Sequence, residues 1–200
     1  MVNDILSAAM SYTSYRELLE ILVSSGRTTG INQSENLLEF TKLNVHRMNR
    51  LDKTIVVDEE MKATLSALKK PLIWLVLGEA WCGDCAQIIP ILNKVAETSQ
   101  GKIDLRIISK DTFPELIETY HTNGAKAIPK MLVIDEESRN IISTWGPRPQ
   151  PAQQIMLNWK VNKDKISWED FEKELHSWYA KDKGKTTVYE LNSILKNLLK

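Results

Sequence analysis

Cysteine is scarce in this chain of 200 residues: there are two, Cys82 and Cys85. The fold therefore rests on its apolar core, and the length suffices for one well-packed domain with additions. Net charge is also missing, because 26 basic and 26 acidic residues cancel. No bulk field draws the protein to nucleic acid or to an anionic membrane, so neither is an expected partner. Long hydrophobic runs are absent as well. The longest apolar stretch, residues 71–77, is far too short to span a bilayer. The N-terminal stretch has an early acid, Asp4, no basic residue before Arg16 and no sustained apolar segment, so no secretory signal is expected. Nor is there an internal repeat or a low-complexity tract. What remains is ordinary for a globular protein, with 42% apolar and 26% charged residues.

Against that background the stretch Ala80-Trp81-Cys82-Gly83-Asp84-Cys85 stands out. It follows the apolar run 72–77 and precedes Ile88-Ile89-Pro90-Ile91-Leu92, so the pair falls where a strand ends and a helix begins. A thiolate at a helix N-terminus is stabilised by the helix dipole and by unpaired backbone N–H groups. Three readings compete: a dithiol exchanging with disulfides, half of a zinc site, or idle thiols. Zinc needs four protein ligands, or three and a water. The three histidines, His46, His121 and His176, lie in separate segments without paired spacing, so no metal is expected. In a cytoplasmic, reducing setting a close pair of thiols reads as redox chemistry.

Along the chain, the apolar spacing in 14–23 predicts a helix stopped by Gly26. Asn32 and Glu35 resemble a capping box for a second helix reaching about Arg50, with a stripe of Leu37, Phe40, Leu43 or Asn44, and Met48. Residues 54–57 read as a short strand or an extended connector, and Asp58 as the N-cap of a helix over 59–69 that turns Met61, Leu65 and Leu68 inward. The run 71–78 reads as a strand buried on both faces, as in a parallel sheet. A helix over 85–98 contains Pro90, which should kink it. A strand over 103–108, a short helix over 114–120, and a hairpin of 131–134 with 140–145 come next. Three helices follow, over 151–161, 168–180 and 187–199, separated in part by the solvated break 181–185. Trp159, Trp168 and Trp178 are expected to dock these helices onto the core. The element order predicts an α/β protein with a mixed central sheet flanked by helices on both sides.

This order, with Trp-Cys-x-x-Cys closing a central strand and Ala127-Ile128-Pro129 opening a later one, resembles the thioredoxin superfamily over roughly residues 54–160. The flanks look like those of a bacterial thioredoxin-like subfamily with an N-terminal helical extension. The expected organisation is a helical extension over 1–53 packed on the core, a thioredoxin-like domain over 54–160, and a helical tail over 161–200 of the same unit. The resemblance implies that Cys82 attacks a substrate disulfide and Cys85 resolves the mixed disulfide, with Gly83 and Asp84 between them. It also implies a cis bond at Pro129, next to Ile128, presenting a bare backbone edge to substrate, and an apolar rim of Trp81 and the pair Trp145-Gly146. On its own composition Trp145 reads more readily as packed against the later helices, and Trp81 as half-exposed beside the site. Two departures stand out. Asp84 occupies the place where thioredoxins usually have proline, and Val76 the place where many bury an aspartate. Glu79, otherwise a solvated strand-end acid, or Asp84 is then the candidate proton acceptor for Cys85. The implied activity is thiol–disulfide oxidoreduction of a protein or small-molecule disulfide, with no bound cofactor and with re-reduction by a separate reductase or thiol pool. The rival reading is a binding or redox-sensing module that docks a partner without reductase turnover.

Overall fold

The computed structural model describes residues 2–199. At its centre lies β1 (Leu72–Gly78), whose seven residues are all buried. An unbroken apolar run has no polar face to offer water, so β1 takes an inner position between two neighbours. On one side it pairs in parallel with β2 (Ile103–Ser109), Leu72 opposite Ile103. On the other it pairs antiparallel with β3 (Lys130–Asp135), Val76 opposite Met131. The edge strand β4 (Ile141–Trp145) completes the order β2-β1-β3-β4. The hairpin turn between β3 and β4 is held by Asp135 Oδ1, which accepts from the Ser138 amide and hydroxyl at 2.7 Å each. This is the expected mixed sheet.

Helices cover both faces. The N-terminal extension forms α1 (Val2–Ala8), α2 (Tyr12–Ser24) and α3 (Glu35–Thr54), followed by α4 (Glu59–Ala67). The motif helix is α5 (Gly83–Thr98), which runs through Pro90 without ending. After β2 comes the short α6 (Pro114–Thr119), and the tail forms α7 (Gln150–Val161), α8 (Trp168–Asp182) and α9 (Lys185–Leu198). One continuous cluster of buried apolar side chains includes Ile5, Tyr15 and Leu19 of the extension, the sheet, and Leu191 and Leu195 of α9. Extension and tail thus share the core of the sheet. Trp159, Trp168 and Phe171 pack against one another with centroids about 5 Å apart, joining α7 to α8; Trp168 is 50% exposed, so it ties two tail helices together instead of docking onto the core.

Local sequence signals hold at several ends. Asp58 caps α4 by accepting from the Met61 amide at 2.8 Å, and Met61, Leu65 and Leu68 are buried. Lys183 and Gly184, both left-handed, break the chain between α8 and α9. Residues 55–57 are a connector, one of the two expected forms, and the edge of β2 is met by Met10, which exchanges two 2.8 Å backbone hydrogen bonds with Ile107. Two details differ. The cap of α3 is Ser34, and Asn32 Oδ1 accepts from the Ser34 amide in a local turn instead of closing a capping box. The buried face of α3 is Thr41, Asn44, Met48 and Leu51, while Phe40 and Leu43 point outward. The polar members are buried because each has a partner inside: Thr41 lies 2.5 Å from the Thr28 hydroxyl, and Asn44 donates to the Ala80 carbonyl at 2.8 Å.

Candidate active site

The chain leaves β1 at Gly78 and turns through residues 79–82 into α5, with Cys82 as its N-cap. The Cys82 Sγ accepts from the Cys85 amide at 3.5 Å, so the first orphan donors of the helix point at the sulfur. The thiol in turn donates to the Ile128 carbonyl at 3.5 Å. Cys82 is half-buried, whereas Cys85 is 1% exposed. Both are free thiols. The two sulfurs have different environments: burial first, then the adjacent Cys82, push the Cys85 thiol well above its ordinary value, while the Glu79 backbone N–H pulls it back. Gly78 packs closely under this sulfur: a Cβ there would sit 3.1 Å from it, so a larger residue would press on Cys85.

The turn is clamped by the extension. The Ala80 amide donates to Thr29 Oγ1 at 2.7 Å, and the Ala80 carbonyl accepts from Asn44. Both backbone groups of the residue two before Cys82 are thereby satisfied from outside the sheet. Facing the dithiol is the peptide Ile128–Pro129, which is cis, with both residues buried. Gly146 backs it at φ +110, and a Cβ at that position would meet the Pro129 carbonyl oxygen at 2.4 Å, so a side chain there is excluded. Gly146–Pro147 is a second cis peptide.

Trp81 is half-exposed, with Lys110 Nζ 5.3 Å from its ring centroid. Trp145 does not join it at the rim. It is 8% exposed and its Nε1 donates to Glu190 of α9 at 2.8 Å, so the indole is used to anchor the last helix. Among the rim residues expected from the resemblance, Trp145 is the one the structure places elsewhere.

The two acids divide. Asp84 is buried, accepting from the Tyr179 hydroxyl at 2.7 Å through Oδ1 and pairing with Arg148 at 2.5 Å through Oδ2. Burial raises its carboxyl, and Arg148 and the Tyr179 hydroxyl oppose that. Glu79 is not solvated: it is 0% exposed, and Oε1 accepts from the Ser109 hydroxyl at 2.6 Å. Burial raises Glu79, and the Ser109 and Thr29 hydroxyls pull it back. Among the described residues its Oε2 has no hydrogen-bond partner, and Gly30 lies beside it, where a Cβ would stand 3.1 Å from that oxygen. Tyr15 of α2, itself buried, is raised first by burial and then by the charges of Cys85 and Glu79.

Several of these residues carried no sequence signal. Thr29, Asn44, Arg148, Tyr179 and His176 reach the motif from distant segments. His176 of α8 packs its ring 3.0 Å from where a Gly83 Cβ would be, with Nδ1 3.3 Å from Gln87 Nε2. Burial, then Arg47, hold its imidazole down to about 4, so it is neutral at pH 7. No group of three or more metal-ligating side chains exists among the described residues. No helix among them is long and apolar enough to cross a membrane.

A free CxxC pair at the N-terminus of a helix that leaves a mixed sheet, opposite a cis-proline, defines a thioredoxin-like dithiol protein. A family model described as Thioredoxin matches residues 30–168, and the chain belongs to that family. The maize chloroplast M-type thioredoxin is 29% identical over 86 residues, covering 42% of this chain and 49% of that protein. Thioredoxin 1 of a Nostoc strain is 28% identical over 53 residues, covering 26% and 47%. The chain thus spans about half the length of the curated relatives it matches. Among solved structures, a protein of unknown function from Pseudomonas aeruginosa superposes with a TM-score of 0.59 at 19% identity, covering 94% of this chain and 99% of that one. It shares the fold through extension and tail alike.

Proposed function

We propose that this protein is a thiol–disulfide oxidoreductase that reduces disulfides through Cys82 and Cys85. The observation that carries the reading is the asymmetry of the pair: a half-buried Cys82 sulfur at a helix N-terminus above a Cys85 that is 1% exposed. An accessible thiolate is the attacking group and a sheltered thiol the resolving one. Cys82 attacks one sulfur of the substrate disulfide, forming a mixed disulfide and releasing the first thiolate. Cys85 then attacks Cys82 Sγ, closing the intramolecular disulfide and releasing the second thiolate. The substrate gains two electrons and the dithiol loses two. A separate reductase or thiol pool restores the dithiol. The Ile128–Pro129 edge receives the extended substrate backbone beside Cys82.

Glu79 is the group we assign to receive the Cys85 proton. Both Asp84 oxygens are occupied by Tyr179 and Arg148, whereas Glu79, buried as well, keeps one oxygen without a partner among the described residues. The test is insulin reduction with dithiothreitol as donor. Wild type accelerates precipitation, Cys82→Ser does not, and Glu79→Gln slows it with a shifted pH profile. A reduction potential near the thioredoxin value of about −270 mV marks a reductant, and one near −120 mV an oxidant. Exposed Phe40 and Trp168 next to Cys82 favour a second reading, a redox-sensing module that docks a partner. Equal inactivity of wild type and Cys82→Ser supports that alternative.

A further inference from the structure

Beside Cys82 lies a cleft of about 380 Å³ that the thioredoxin-like core does not build alone. One wall is α3 of the extension, through Leu37, Phe40 and Arg47. The opposite wall is α8 of the tail, through Trp168, Phe171 and Leu175. Cys82, Trp81 and Ile128 line the same cleft. The volume falls within the ordinary range for a small-molecule site, which is about 300–1,000 Å³.

Its charge is one-sided. Four cations line the cleft, Arg47, Lys110, Lys126 and Arg148, against two carboxylates, Asp84 and Glu172. Asp84 is already paired with Arg148 inside the protein, and Lys126 is paired with Glu118. Among the described residues Arg47 and Lys110 have no ion pair within 4.0 Å; Arg47 is held by the Asn44 side chain at 2.9 Å and Lys110 rests over the Trp81 ring. Glu172 faces Arg47 without contacting it closely enough to pair. His176, neutral at pH 7, adds nothing to either sign. Arg47 and Lys110 are thus the two lining cations outside an ion pair, against the single unpaired carboxylate of Glu172, so a net positive charge remains in the cleft with Arg47 partly desolvated.

We propose that the substrate of this dithiol is a small disulfide that carries carboxylates, bound in the cleft between α3 and α8 with its acid groups on Arg47 and Lys110. The proposal rests on the dithiol reading above and adds the chemical class of the substrate. The reaction is the same exchange: Cys82 bonds to one substrate sulfur, the first carboxylate-bearing thiolate leaves into the cationic cleft, and Cys85 displaces the second. Each released thiolate takes a proton from solvent, and the protein ends as the Cys82–Cys85 disulfide. Positive charge at the mouth favours the anionic substrate on approach and stabilises the negative leaving thiolate.

The experiment compares three disulfides of similar size with the reduced full-length protein under single-turnover conditions at pH 7 and low salt. They are 3,3′-dithiodipropionate with two carboxylates, bis(2-hydroxyethyl) disulfide with no charge, and cystamine with two ammonium groups. Each rate, read as loss of alkylatable Cys82 and Cys85 in acid-quenched protein, is divided by that of the same disulfide with dithiothreitol, which removes intrinsic reactivity. The expected order is anionic above neutral above cationic, with about tenfold between the first two. That ratio falls toward one in the Arg47→Gln/Lys110→Gln protein and, for wild type, at 1 M salt, where the screening length is about 3 Å. Equal normalised rates, or cystamine fastest, overturn the inference while leaving the dithiol reading intact. Inertness toward all three overturns the inference, and only inertness toward insulin as well overturns the dithiol reading.

Discussion

Arg148→Met isolates what the buried ion pair beneath the motif does. Arg148 and Asp84 have side chains only 11% and 7% exposed, and the substitution keeps much of the volume while removing the charge. Asp84 is left with the Tyr179 hydroxyl alone. Breaking a buried pair from one side costs about 3–5 kcal/mol, because the remaining charge is neither solvated nor compensated. In a domain of this size that corresponds to a fall in Tm of roughly 6–20 °C. The pH dependence supplies the sharper signature. The Asp84 carboxyl is already raised from 3.8 by burial, and Arg148 heads the causes holding it down. A carboxylate whose folded-state pKa exceeds its unfolded value binds more protons when folded, so stability falls as pH rises from about 4 through the folded pKa. Removing Arg148 widens that window, and the variant should lose more stability between pH 4 and 7 than wild type does. Urea unfolding at both pH values measures the difference, and Asp84→Asn added to Arg148→Met should recover most of the loss at pH 7. A variant within about 1 kcal/mol of wild type at pH 7, or a deficit equal at both pH values, would refute the reasoning.

Two further outcomes follow from neighbouring packing. Gly146→Ala forces a side chain into a left-handed φ and against the Pro129 carbonyl, so it should cost at least about 2 kcal/mol and slow insulin reduction, while Cys82 stays open to alkylation in the folded fraction. His176→Gln bears on the acid limb of stability. The imidazole is held to about 4 against an ordinary 6.5, so the unfolded chain takes up the proton first and wild type loses up to about 3 kcal/mol on going from pH 7 to 4. Glutamine does not titrate, and the variant's stability should fall less over that interval. An identical pH dependence for both proteins excludes His176 as its source.

The parts of this molecule that could be read from the chain are those written in short-range patterns. An all-apolar β1, an Asp58 cap followed by inward Met61 and Leu65, and a CxxC at a strand-to-helix turn each declare themselves within a few residues. The polar contacts that set up the motif do not. Thr29 reaches Ala80 across 51 residues, Asn44 reaches it across 36, and Tyr179 reaches Asp84 across 95. A lone threonine or asparagine in an amphipathic segment carries no mark of such a partner. Asn44 sits on an otherwise apolar face, and an apolar pattern alone draws attention to the wrong neighbours, Phe40 and Leu43. Trp145 was ambiguous for the same reason: an indole at the end of a strand suits a rim or a core, and only Glu190 of α9 decides it.

The departures in the motif have a common physical origin in the helical additions. Val76 is fully buried opposite Met131, so β1 carries an aliphatic side chain there and no acid. The buried acid stands three residues further on, at Glu79, where Ser109 from the end of β2 and Thr29 from the extension bring hydroxyls to it. At the other side of the dithiol, Asp84 can remain buried in the first turn of α5 only because the chain returns twice with polar partners, Arg148 ahead of α7 and Tyr179 in α8. An acid at either position without those segments would be a buried charge with nothing to answer it. The two buried acids flanking the dithiol and the extra helices that partner them are therefore one structural choice, and the cleft lined by α3 and α8 goes with it.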